Sequence, residues 1–179
     1  MDLRTVILGL LKWKPSSGYD LKRIISDSDV FYCSGNNNQI YKSLTELQKE
    51  GLVTHEVELQ ENLPAKKVYT ITELGIEVLK RNLLSPPEVP ELRNNFLIQL
   101  AWAEGLSDEE LLGLLNQYEA EIVDRLRMVQ YQADHPGIRP GRSRREQYLW
   151  KRIAENFIGA YQTELEWVRM TKQGLLEEV

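Results

Sequence analysis

The residues of this 179-residue chain best suited to chemistry on another molecule are Asn36-Asn37-Asn38-Gln39-Ile40-Tyr41-Lys42. In the helical run that leads to Gly51, Ile40, Leu44 and Leu47 fall at i, i+4 and i+7 and share one inward face. Asn37, Asn38, Tyr41, Lys42 and Thr45 then point away from the core. Asn and Gln offer two hydrogen bonds to adenine in the major groove. Lys42 can meet a phosphate or a guanine edge, and Tyr41 a phosphate or a sugar. The start of such a helix adds unpaired backbone N–H groups and a partial positive charge, which suit a phosphate. The same asparagines also fit a plain capping segment, because Asn favours helix starts for backbone reasons. Lys66-Lys67 follows on a strand-like segment. Cations there reach phosphates without reading sequence, although paired lysines also make an ordinary solvated strand edge.

Other chemistries lack their residues. The single cysteine, Cys33, allows no intrachain disulfide and no cysteine-based zinc site. His55 and His135 are far apart in sequence and fall in different expected units. A glycine-rich phosphate loop and a nucleophile elbow are both missing, so the chain is read as no enzyme, with no metal and no cofactor. Apolar residues make up 42% and charged residues 27%, as in a folded protein. No apolar run approaches the roughly 18–20 residues that span a bilayer. Leu3 to Leu11 suits a buried helix better than a signal peptide, which gives a cytoplasmic expectation without a membrane partner. The net charge of −5 at first speaks against nucleic acid. Residues 1–85, however, carry 11 Lys+Arg against 11 Asp+Glu, and residues 86–179 carry 11 against 16. The excess acid therefore lies in the second half. A neutral first half can still present a local basic face.

The elements around these residues are legible from period and punctuation. Leu3, Val6, Ile7, Leu10 and Leu11 give a first helix. Pro15 to Gly18 reads as a turn, and Tyr19 to Ser26 as a short second helix with Leu21, Ile24 and Ile25 inward. Ser34 or Gly35 opens the third helix and Gly51 stops it. Val53, Val57 and Leu59 alternate with polar residues as a strand does. A loop through Asn62 and Pro64 leads to a second strand over 66–72, and Thr72 caps a fourth helix carrying Leu74, Val78 and Leu79. Ser85-Pro86-Pro87-Glu88-Val89-Pro90 cannot continue a helix and reads as a linker.

Beyond it the pattern is all-helical. Leu92, Phe96, Leu97, Leu100 and Ala101 form one stripe that ends by Gly105. Ser107 and Glu110 make a capping box, and the helix it opens carries a seam from Leu111 through Leu115, Tyr118, Ile122, Leu126 and Val129 to Ala133. Pro136-Gly137 and Pro140-Gly141 break it. Ser143 and Glu146 make a second box, before a last helix with Leu149, Ile153, Phe157, Ala160, Tyr161, Leu165 and Val168 on its apolar side. Two helices of some 25–30 residues would each reach about 40 Å. Such a hairpin cannot bury its stripes and its aromatics alone. A second copy of the chain is the economical cover, and packing back on the first half is the alternative. Trp102, Trp150, Trp167, Tyr148, Tyr161 and Phe157 supply aromatic surface for a small aromatic effector, or simply core and interface.

Residues 6–83 resemble the PadR family of bacterial transcriptional regulators. The resemblance rests on Ile7-Leu8-Gly9-Leu10-Leu11, Ser17-Gly18-Tyr19-Asp20-Leu21 and Gln39-Ile40-Tyr41-Lys42-Ser43-Leu44. It continues in Leu47-Gln48-Lys49-Glu50-Gly51-Leu52-Val53 and Lys67-Val68-Tyr69-Thr70-Ile71-Thr72-Glu73-Leu74-Gly75. From about Pro90 onward the helix pattern is similar to the long C-terminal domain of the branch that includes the AphA-type virulence activators. The resemblance implies a homodimer joined by the C-terminal helices, with the third helix and the wing on operator DNA. By it, Tyr19 and Lys22 join Asn36, Asn37, Asn38, Gln39, Tyr41, Lys42, Lys66 and Lys67 as DNA contacts. Some members respond to phenolic acids.

The expected fold is therefore mainly α with a small β-hairpin. A winged helix-turn-helix DNA-binding domain over 1–85 and a linker at 86–90 precede a helical dimerisation and effector domain over 91–179. The expected function is a repressor that binds an inverted-repeat site on double-stranded DNA as a homodimer. The alternative is a winged-helix scaffold for protein–protein contact, which the neutral charge of residues 1–85 would suit.

Overall fold

The computed structural model describes residues 2–28, 37–60, 63–89, 94–135 and 143–178. Cys33, Ser34, Gly35, Asn36, Asn62, Leu92 and the breaks at Pro136-Gly137 and Pro140-Gly141 lie outside them. The chain divides into two units, Met1–Val89 and Pro90–Val179.

In the first unit, α1 (Leu3–Trp13) starts at Asp2, whose carboxylate accepts from the Thr5 backbone N–H. Two residues of strand, β1 (Ser16–Ser17), lead into α2 (Gly18–Ser26). The region read as a turn thus does two other things. It pairs antiparallel with the wing, Ser16 opposite Tyr69 and Ser17 opposite Val68, and its Ser17 caps α2. Next come α3 (Asn37–Lys49), β2 (Val53–Gln60), β3 (Leu63–Ile71) and α4 (Glu73–Leu83). The sheet order is β1-β3-β2. Gly51 closes α3 with φ of 71°, a left-handed conformation that costs glycine little.

The second strand begins earlier than its sequence pattern suggests. Pro64 lies inside β3 rather than in a loop, near the strand's start, where a missing N–H is tolerated. The register shifts between Glu58 and Gln60 as the hairpin nears its tip. Thr72 leaves the strand to cap α4: its hydroxyl accepts from Gly75 N–H at 3.1 Å and donates to the Gly51 carbonyl at 2.8 Å. One side chain thereby ties the end of α3 to the start of α4.

The core of this unit draws Ile7, Leu8 and Leu11 of α1, Leu21 of α2, and Ile40, Leu44 and Leu47 of α3 into one cluster with Val53. Val57, on the face expected to turn inward, is exposed, because the hairpin there extends past the edge of the core.

The second unit opens with α5 (Asn95–Ala101), capped by Asn94, and a 3-10 turn at Ala103–Gly105. Phe96 is buried, but Leu97 of the same expected stripe is exposed. α6 (Asp108–Asp134) begins at the Ser107–Glu110 capping box. Its seam packs against α7 (Arg144–Glu178) through Leu115, Ile122 and Val168. At 35 residues α7 outruns the expected length, and about 1.5 Å of rise per residue makes it on the order of 50 Å long. Ser143 Oγ accepts from Glu146 N–H at 3.0 Å at its start.

Three residues far apart in sequence fasten this unit. Tyr118 Oη donates to Glu164 Oε1 at 2.6 Å, and Asn94 Nδ2 donates to both, at 2.9 Å each. Burial, reinforced by the carboxylate, raises the Tyr118 phenol to about 12. Its ring stacks on Phe96 with centroids 3.7 Å apart, and Trp167 meets Phe96 edge-on. Trp167 and Tyr161 belong to this core, whereas Trp102 and Tyr148 are exposed, so the six aromatics do not form one surface.

Candidate nucleic-acid interface

The apolar stripe of α3 fixes what its other flank presents. Ile40, Leu44 and Leu47 are 0–2% exposed and Ser43 beside them is buried, so the opposite flank of α3 is the one turned outward. Asn38, Gln39, Tyr41 and Lys42 are all exposed. Asn37 opens the helix, and Asn36 lies outside the described residues. The Thr45 hydroxyl donates to the Tyr41 carbonyl at 2.9 Å and stays on the outer flank. Lys42 lies 4.0 Å from Glu46, at the limit of an ion pair, and its side chain keeps 76% of its surface exposed. Such pairs contribute little and leave the lysine free to change partner.

Between this flank, the first turn of α2 and the wing lies a cleft of about 1210 Å³. It brings together four of the residues singled out from the sequence: Tyr19, Tyr41, Lys66 and Lys67. Asn38, Gln39 and Lys42 stand on α3 outside its lining, and so does the half-buried Lys22 of α2. Tyr69 forms part of the floor. Burial, with the neighbouring Tyr41, raises its phenol above the ordinary value, and its ring lies 5.6 Å from that of His55.

The two wing lysines differ. Lys66 Nζ lies 2.9 Å from Asp20 Oδ2, so its ammonium is already engaged rather than free as the paired lysines suggested. The same carboxylate oxygen accepts from Ser17 Oγ at 2.7 Å and from Ser17 N–H at 3.3 Å, and Ser17 Oγ in turn accepts from Asp20 N–H. Burial alone would raise the Asp20 carboxyl. The hydrogen bonds from Lys66 and Ser17 outweigh it and hold the group below its ordinary value. Lys67 is exposed and meets no acidic group among the described residues. Asp20 is the site residue that sequence reasoning missed, although Ser17 and Asp20 carry the spacing of a capping box.

An exposed amide- and hydroxyl-bearing helix flank beside a twisted hairpin with an exposed cation can follow a groove and its phosphate edge. Among the described residues no cluster of His, Cys, Asp and Glu could hold a metal ion, and no helix is long and apolar enough to cross a membrane.

Residues 7–81 match the Transcriptional regulator PadR-like family, and residues 92–175 match Virulence activator alpha C-term. Over 127 residues the chain is 30% identical to the negative transcriptional regulator PadR of Bacillus subtilis (strain 168), spanning 68% of this chain and 70% of that protein. Among solved structures it is similar to Bacillus subtilis PadR in complex with operator DNA (TM-score 0.81, 23% identity, 97% of this chain and 98% of that one). The same protein in complex with p-coumaric acid gives a TM-score of 0.74 at 23% identity, again over 97% and 98%. The Vibrio cholerae virulence activator AphA gives 0.70 at 22% identity, over 99% of this chain and 100% of that one. At these identities the structures establish a shared fold.

Proposed function

The chain belongs to the PadR-like family of transcriptional regulators, and from that premise we propose that it represses transcription as a homodimer on an inverted-repeat operator. In this reading the first unit binds DNA and the second joins the two copies. The observation that carries it is the two-sided α3. Ile40, Leu44 and Leu47 are fully inside, while Asn38, Gln39, Tyr41 and Lys42 are outside. Asn36 and Asn37 complete the proposed set of amide contacts on the strength of the sequence. The amides read base edges, and the Tyr41 contact to the backbone or sugar holds them in register over those edges. Tyr19 adds a second backbone contact, and Lys42 and Lys67 neutralise phosphates. Lys22 and Lys66 add positive charge at the margin.

A repressing sign fits the relative, which is named a negative transcriptional regulator, and a small aromatic effector fits the relative solved with p-coumaric acid. Two recognition helices held by a dimer meet half-sites about one helical turn apart, hence the inverted repeat.

The test is a gel-shift titration against a palindrome from the adjacent promoter and against a scrambled duplex. Asn38→Ala and Tyr41→Ala should each lose the preference for the palindrome while the fold persists. Unchanged discrimination in both would overturn the assignment of α3 as the reading element. A scaffold that binds only proteins is the competing reading, favoured by the neutral balance of residues 1–85. It requires that neither duplex be retarded even at low salt, where nonspecific binding is strongest.

A further inference from the structure

Gly18 opens α2 at the floor of the cleft, directly under the ring of Tyr41. A Cβ at this position would lie 2.5 Å from Tyr41 Cε1, 3.1 Å from Cζ and 3.2 Å from Cδ1. Carbon atoms at rest keep about 3.5–4.0 Å, so no side chain can share this space with the ring where it stands. Backbone freedom is not the reason for glycine here, because among the described glycines only Gly51 has a positive φ. Gly18 sits in the first turn of an ordinary helix, a place where alanine is the better helix former. What glycine supplies is room, and Tyr41 fills it.

The atoms that would collide are the far end of a side chain that is 51% exposed. A methyl group at Gly18 would therefore push the ring outward rather than break the core. The fold loses little, and the hydroxyl of Tyr41 loses its address.

We infer that Gly18 is a positioning residue for operator discrimination, acting through Tyr41. Its missing side chain seats the Tyr41 ring against the first turn of α2 and so fixes where the phenol meets DNA. The inference rests on the proposed role of α3 in DNA binding, and it adds that the reading surface is set from α2. The motif Ser17-Gly18-Tyr19-Asp20 then serves both sides of the cleft. Gly18 seats the recognition helix's tyrosine, while Ser17 and Asp20 hold the wing through Lys66.

The experiment is a double-mutant cycle on the full chain with Gly18→Ala, Tyr41→Ala and the pair together. Each is titrated by gel shift against the palindrome and the scrambled duplex at one salt concentration. Urea unfolding and the ring resonances of 13C-labelled tyrosine are followed in parallel. Gly18→Ala should move the Tyr41 resonance and weaken palindrome binding about tenfold, the scale of one lost specific contact. Scrambled-duplex binding should stay within about twofold, because the lysine–phosphate contacts that carry nonspecific binding are untouched. The unfolding midpoint should hold or rise. The double variant should bind no more weakly than Tyr41→Ala alone. Should Gly18→Ala lower the midpoint, its recovery in the double variant supports the inference equally, because removing the ring makes room for the methyl.

The inference is overturned by an unmoved Tyr41 resonance, by undiminished discrimination in Gly18→Ala, or by losses that simply add in the double variant. A parent protein that retards neither duplex sinks the DNA-binding reading instead, and that result is seen before any variant is made.

Discussion

Lys66 and Lys67 follow one another on β3, yet one is tied to Asp20 at 2.9 Å and the other is exposed. Both line the cleft, but only Lys66 reaches the Asp20 carboxylate in the first turn of α2. Lys67→Ala should therefore weaken binding to every duplex alike and reduce the salt slope by about one, as the loss of a single phosphate contact does. Lys66→Ala should instead loosen the wing, lowering the urea midpoint along with affinity. Identical behaviour of the two variants, with stability unchanged in both, would contradict this division.

Asp20 adds a pH dependence. Its folded-state carboxyl titrates below the ordinary value of 3.8. The stability it contributes is thus fully present above that value and is lost as pH falls through the depressed one. Asp20→Asn should cost on the order of 1 kcal/mol at neutral pH and flatten the acid limb of a urea-stability profile.

At the scale of elements, hydrogen bonds between distant segments decide how helices meet. Thr72 caps α4 and also donates to the Gly51 carbonyl at the end of α3. Thr72→Ala should cost about 1–2 kcal/mol, the upper range for a lost cap, since it removes both bonds. A midpoint shift no larger than that of an exposed Thr45→Ala control would contradict the double role.

In the helical unit the phenol of Tyr118 joins α5, α6 and α7 through Asn94 and Glu164. A folded-state value of about 12 against an ordinary 10 favours the neutral phenol. Its contribution is complete below pH 10 and disappears as pH rises toward 12. Alkaline unfolding followed by circular dichroism should show this loss in the parent and a flatter profile in Tyr118→Phe. That variant should also lose about 1 kcal/mol at neutral pH.

For the whole molecule, the long helices of the second unit leave large apolar side chains in water in the single chain. Tyr131 and Met170 are each 65% exposed, Tyr148 is 62% and Leu176 is 69%. Scattered exposure of this kind is ordinary. Its concentration on two long helices is what the proposed dimer would cover. Met170→Glu with Leu176→Glu should shift the chain from dimer to monomer in sedimentation. It should also cut palindrome affinity far more than scrambled-duplex affinity, because two linked half-sites bind together. Full operator affinity in a monomeric variant would remove the dimer from the account.

Spacing along the chain was enough to set the order of the helices and the hairpin, the two-sided character of α3, the Ser107–Glu110 capping box and the resemblance to a family of regulators. All of these depend on residues within about one or two helical turns of each other, or on alternation within one strand. Folding alone decided that Asp20 claims Lys66, that Gly18 makes room for Tyr41, that Ser16 and Ser17 pair with β3, and that Asn94, Tyr118 and Glu164 meet. Those partners lie 23 to 70 residues apart. Their encounters follow from how buried faces stack, a property of packed volume that no periodicity carries.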